Sequence, residues 1–156
     1  MTEAIDLVVP DAEAMEALGA RIAAQLRAGD VVLLNGELGA GKTTLTRGIG
    51  SALGARGAVT SPTFVLARTH PTASGVPLVH VDAYRLGSAA ELDDLDLDLA
   101  GSITVVEWAA DKLDGELESW LVLDLVRPLG GDPADDDAPR HVRLAAHGPR
   151  WEGVAI

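Results

Sequence analysis

Leu33-Leu34-Asn35-Gly36-Glu37-Leu38-Gly39-Ala40-Gly41-Lys42-Thr43-Thr44 decides the fold, because Gly36 to Thr43 carries the phosphate-loop spacing G-x-x-x-x-G-K-[ST]. Gly39 and Gly41 tolerate positive φ and leave room for backbone N–H groups to converge on phosphate oxygens. The helix that opens near Lys42 points its unpaired N–H groups and the positive end of its dipole at the same anion. Lys42 then supplies a mobile charge to the outer phosphates, and the Thr43 hydroxyl a ligand for Mg²⁺. The candidate nucleotide-binding segment is therefore Gly36, Glu37, Leu38, Gly39, Ala40, Gly41, Lys42, Thr43 and Thr44. The flanks supply the context such a loop needs. Val31 to Leu34 is an unbroken apolar run that reads as a buried strand, and Thr43 to Leu53 sets Leu45, Ile49, Ala52 and Leu53 on one helical face. A glycine-rich turn that binds nothing is the plainer alternative.

Upstream, Ile5 to Val9 reads as a short strand, and Asp11 after Pro10 is a candidate N-cap. Met15, Leu18, Ile22 and Leu26 then recur at helical steps, with Gly29 placed to end the helix. Downstream, Gly54 closes the helix that the loop opens. Thr60 to His70 begins with clustered hydroxyls and becomes strand-like. Pro71 to Pro77 is a turn-rich break, and Leu78 to Tyr84 is strand-like again, so the two segments are expected to pair as a hairpin. Ser88 with Glu91 makes a capping box for a short helix. Glu91 to Asp98 holds five acids among leucines and reads as a solvated face. Ile103 to Val106 and Leu121 to Val126 are further buried-strand candidates, and His141 to Ala145 looks like a final edge strand. Between the last two, Pro128 to Pro139 is too polar and broken to pack. The expectation is a single α/β domain over residues 1–156, a three-layer fold like that of the P-loop NTPases, its central sheet mostly parallel with added antiparallel strands.

Composition limits the function. The 156 residues are 47% hydrophobic but only 3% aromatic, so Val, Leu, Ile and Ala must fill the core. Without cysteine there is no disulfide framework, thiolate metal site or thiol nucleophile. No apolar run is long enough to cross a membrane and no signal-like segment is present, which points to a cytoplasmic protein that engages no membrane. The formal charge is −12, and the two lysines are Lys42 and Lys112. Tight, direct contact with nucleic acid calls for a basic patch, so any role on RNA is expected to run through a partner protein.

Turnover needs an acid near the metal and a group that positions the nucleophile. Asp82, Glu107 and Asp124 each end an apolar strand. Glu107 follows the run Ile103-Thr104-Val105-Val106, the pattern of a buried parallel strand whose carboxyl end meets the ligand edge of an open sheet. It is the first candidate for the metal, reached through water. Asp82 follows a more alternating strand and is the candidate to hold Mg²⁺ or orient water. For each acid, Asp124 above all, a structural ion pair or cap is the alternative. Thr63 is a candidate switch-like hydroxyl, or else a cap on the turn after Pro62. Trp108 reads equally as core or as contact surface. His70 and His80 have no metal-pair spacing and read as polar strand residues. Arg85 and Arg140 are candidates to neutralise phosphate.

Four motifs in series then resemble one family: Gly-Glu-Leu-Gly-Ala-Gly-Lys-Thr-Thr at 36–44, Ser-Pro-Thr-Phe at 61–64, His-Val-Asp-Ala-Tyr-Arg-Leu at 80–86 and Val-Glu-Trp at 106–108. In that order they are similar to the TsaE family, the ATPase subunit of the bacterial tRNA threonylcarbamoyladenosine machinery. The resemblance spans nearly the whole chain, including a basic strand around Arg140 to Leu144. It implies ATP and Mg²⁺ binding, slow hydrolysis, and work in a complex with TsaD and TsaB that supports threonylcarbamoyl transfer to an adenosine beside the tRNA anticodon. By motif position it makes Lys42 and Thr43 phosphate and Mg²⁺ ligands and Glu107 a second metal-site acid. Asp82 and Thr63 become active-site residues, Trp108 lies near the nucleotide, and Arg140 is a phosphate or base contact. Leu45 departs from the family, standing where an aromatic residue is frequent. Two other readings remain on the residues alone: a small-molecule kinase, although no Arg-rich lid precedes Glu107, and a nucleotide-gated binding module that does not hydrolyse. A GTPase would need N-K-x-D, and Asn35 is the sole asparagine.

Overall fold

In the computed structural model, residues 3–36, 41–55, 67–82, 100–107, 119–126 and 139–152 are described. In chain order they form β1 (Glu3–Val9), α1 (Ala12–Ala23), β2 (Val31–Gly36), α2 (Lys42–Leu53), β3 (Ala67–His70), β4 (Leu78–Asp82), β5 (Ile103–Glu107), β6 (Trp120–Val126) and β7 (Arg140–His147), then a 3₁₀ turn at Pro149–Trp151. The apolar run of β2 lies at the centre of the sheet, whose order is β1-β7-β6-β2-β5-β4-β3. Strands β4, β5, β2 and β6 are parallel to one another, and antiparallel pairs extend the sheet at both ends. Residues without polar side chains suit such strands because both faces are closed to water. One face, with Val32, Leu34, Ile103, Val105, Leu121 and Leu123, packs in a single core with α1 and α2. The other is also buried along β2, β4 and β5, with Leu33, Val81 and Val106 out of solvent, and opens to solvent along β6.

The two helices press on each other as well as on the sheet. Asp11 caps α1 by accepting the Ala14 N–H at 2.8 Å, and Met15, Leu18 and Ile22 turn inward as their spacing predicts. On α2, Leu45 and Ile49 are buried and Gly54 ends the helix in the left-handed region at φ 71. Ala52, expected on the same face, is instead exposed. The buried side of α2 swings toward Gly48, because α1 crosses there without room for a side chain. A Cβ on Gly48 would lie 2.8 Å from Glu16 Cα and press on backbone that cannot step aside. Gly48→Ala is therefore expected to destabilise the protein by about 1–3 kcal/mol through overpacking, read as a lower denaturant midpoint with an unchanged slope.

Two boundaries differ from those the sequence suggests. The first helix stops at Ala23, and Gly29 sits beyond it in the turn into β2, at φ 95, donating its N–H to Ser102 O at 2.9 Å. That turn is held by Asp30, which accepts the Arg27 N–H and pairs with both Nε and Nη2 of Arg150. The helix has already closed by then through 3₁₀-type bonds, Gln25 N–H to Ile22 O and Leu26 N–H to Ala23 O. The strand at His141 to Ala145 is not an edge. β1 pairs along β7 from Glu3↔Ala146 to Val9↔Arg140, so β1 takes the edge and β7 lies inside. Its exposed alternate residues look like an edge because one face meets solvent. The expected hairpin is present as β3 and β4. The capping box at Ser88, the acidic run Glu91 to Asp98 and the segment 128–138 lie outside the described residues.

Candidate nucleotide site

The site is built where β2 gives way to α2. Gly41 stands at the N-cap of α2 at φ 109, a conformation that L side chains rarely adopt, and among the described residues no side chain caps the helix. An α-helix leaves its first N–H groups without partners inside the helix, and its dipole makes that end positive. Lys42 is buried, and its Nζ donates to the Gly36 carbonyl at 2.5 Å, which draws the ammonium back over the strand end. Thr43 and Thr44 are half-buried in the first turn. The start of a helix with one ammonium and a threonine hydroxyl beside it suits a phosphate group.

Two acids share this edge. In the parallel register Asp82 stands beside Glu107, and Glu107 is opposite Leu34, two residues before Gly36. Strand alternation sets Glu107 on the face of Ile103 and Val105, the same side of the sheet as α2. Its carboxylate is buried, and Oε2 lies 2.8 Å from Nε2 of the fully buried His80. His80, read from sequence as a plain strand residue, is the partner that sequence reasoning missed. A signal existed, since residues 78, 80 and 82 alternate on one face and His80 follows the inward Leu78.

The remaining candidates divide. Arg140 begins β7 at this same edge, since His141 pairs with Val126 at the end of β6, and it is buried. Asp124 is exposed on the opposite face and accepts from Asn35 Nδ2 at 3.1 Å, a polar pair rather than an ion pair or cap. His70 pairs with Leu78 at the far end of the strands, away from the site. Of Asp82 the backbone alone is described. Glu37, Leu38, Gly39, Ala40, Thr63, Arg85 and Trp108 lie outside the described residues. Among those described, no three His, Cys, Asp or Glu side chains gather to cage a metal.

The family model for threonylcarbamoyl adenosine biosynthesis protein TsaE matches residues 9–127, a span that contains α1, β2, the phosphate loop, Glu107 and β6. The chain belongs to the TsaE family. A tRNA threonylcarbamoyladenosine biosynthesis protein TsaE from Streptomyces coelicolor is 57% identical over 141 residues, covering 88% of this chain and 93% of that protein. The TsaE protein of Bacillus subtilis is 34% identical over 142 residues, covering 90% and 84%. The crystal structure of Bacillus subtilis YdiB superposes with a TM-score of 0.73 at 31% identity, over 97% of this chain and 91% of that one. TsaE membership ties the chain to threonylcarbamoyladenosine biosynthesis. It also agrees with the α/β architecture described above.

Proposed function

We propose that the 156 residues form one P-loop ATPase domain that binds ATP with Mg²⁺ and hydrolyses it slowly. Acting through TsaD and TsaB, it supports threonylcarbamoyl transfer to the adenosine next to the tRNA anticodon. The observation that carries this reading is the buried Lys42 ammonium bonded to Gly36 O at the start of α2, with Glu107 on the adjacent strand end. Family membership sets the pathway, and the charge of −12 favours reaching tRNA through partners rather than directly. No helix among the described residues is long and apolar enough to cross a membrane, which is compatible with work in the cytoplasm.

The donor set fits a nucleotide triphosphate with a hard cation. Residues 36–44 cradle the phosphates through their N–H groups, and Lys42 turns from Gly36 O to the outer phosphates. Thr43, Glu107 and Asp82 are the residues that would hold Mg²⁺, which when bound neutralises charge on the outer phosphates. Asp82 and Glu107 orient the attacking water, and Thr63 orders around the outer phosphate as a switch hydroxyl. Trp108 borders the nucleotide, and Arg140 contacts phosphate or base.

The test mixes the purified chain with ATP and Mg²⁺, alone, with candidate small acceptors, and with TsaD and TsaB. Phosphate release without acceptor, faster with the two partners, is the expected result. Phosphorylated acceptor would make the chain a small-molecule kinase, and binding without turnover a nucleotide-gated module. A pull-down with and without ATP that brought neither partner would remove the assembly from this reading.

A further inference from the structure

The inward face of β4 and β5 is apolar until it reaches His80. Leu78, Ile103 and Val105 are buried there, and His80, opposite Val105, is 0% exposed. An imidazole in such a place loses its hydration, and only one nitrogen recovers a bond: Nε2 meets Glu107, while Nδ1 has no hydrogen-bond partner among the described residues. Stability does not call for this arrangement. An apolar side chain of similar shape would pack in the same core without orphaning a nitrogen. The pair is better explained by what it does to the carboxylate.

We infer that His80 is a positioning residue that holds the Glu107 carboxylate in the orientation a Mg²⁺–nucleotide complex requires. The inference rests on reading Glu107 as the metal-site acid. Bonding to a carboxylate places the ring proton on Nε2, so the imidazole donates and Oε2 accepts. A strand-end glutamate otherwise rotates about three side-chain torsions. With Oε2 tied, Oε1 is the oxygen that His80 does not engage. His80 itself sits one pleat behind the edge, because it pairs with Val105 while Asp82 pairs with Glu107. Buried at that depth, it acts through the acid rather than on the nucleotide.

The test titrates Mg²⁺ into the full chain holding a fluorescent ADP analogue and reads the Mg²⁺ midpoint, with nucleotide affinity in EDTA as the paired measurement. His80→Phe keeps the ring shape without the donor. It is expected to raise the midpoint by about 10- to 100-fold, the usual effect of removing the partner of a metal-binding group, and to leave the affinity in EDTA unchanged. His80→Gln carries an N–H to nearly the position of Nε2 and is expected to restore the midpoint. If His80→Phe does not fold, His80→Asn takes its place, with the same amide as Gln on a chain too short to reach Glu107. Midpoints in both His80→Phe and His80→Asn equal to that of the unmodified chain would overturn the inference, as would failure of His80→Gln to restore a raised one. Glu107→Gln separates the two layers of argument. A shifted midpoint in Glu107→Gln with none in the His80 variants overturns the positioning role alone, whereas no shift in Glu107→Gln overturns the reading of Glu107 and the inference with it.

Discussion

Lys42→Ala is expected to weaken nucleotide binding by roughly 100-fold or more, about 3 kcal/mol, the scale of losing a desolvated charge-assisted contact to phosphate. The size follows from the place of the side chain. Lys42 is 6% exposed, so its charge acts where water screens it poorly, and its Nζ is already at the mouth of the loop, bonded to Gly36 O at 2.5 Å. Holding an ammonium there costs hydration, which the bond to the Gly36 carbonyl offsets in part. Its removal should therefore leave folding nearly intact while stripping the site of its main cation. Calorimetry with ADP and ATP, paired with a denaturant curve, reads both effects. An affinity within experimental error of the unmodified chain would mean that the N-terminus of α2 holds the anion without Lys42, and the proposed role would fall.

What could be read in advance follows from which interactions are local. The strand β2 and the helix α2 on either side of the glycine motif were legible because an unbroken apolar run and helical periodicity are each contained within about twenty residues. Glu107 was legible for the same reason: the four residues before it declare a buried strand, and a buried strand of this class ends at the ligand edge. The partner of Glu107 was not. His80 reaches it across 27 residues of sequence, and that contact depends on the β4–β5 register, which no single segment specifies. The position of β7 failed similarly, since only the pairing of residue 3 with residue 146 reveals that β1 closes the sheet. Beyond the first helix, the turn into β2 is held by Asp30 with Arg150, from the far end of the sequence. Local chemistry located the candidate site, and long-range pairing placed His80 beside Glu107.

Glu107→Gln is expected to retain ATP binding and lose turnover by roughly 100-fold or more, the range over which a positioned acid or base contributes to catalysis. The amide keeps the size of the side chain and can still accept from His80 Nε2, so packing and the buried hydrogen bond survive while the negative charge disappears. Glu107→Ala removes both and should fall at least as far. That variant also leaves His80 with neither nitrogen bonded among the described residues, which adds about 1–3 kcal/mol of destabilisation. The contrast between the two substitutions is informative. If charge is what matters, Gln and Ala lose turnover alike and differ in stability; if the carboxylate only braces the strand end, Gln behaves like the unmodified chain and Ala alone is impaired. Phosphate release under saturating ATP, measured with thermal unfolding of both variants, distinguishes these results, and hydrolysis undiminished in Glu107→Gln would remove this acid from the catalytic site.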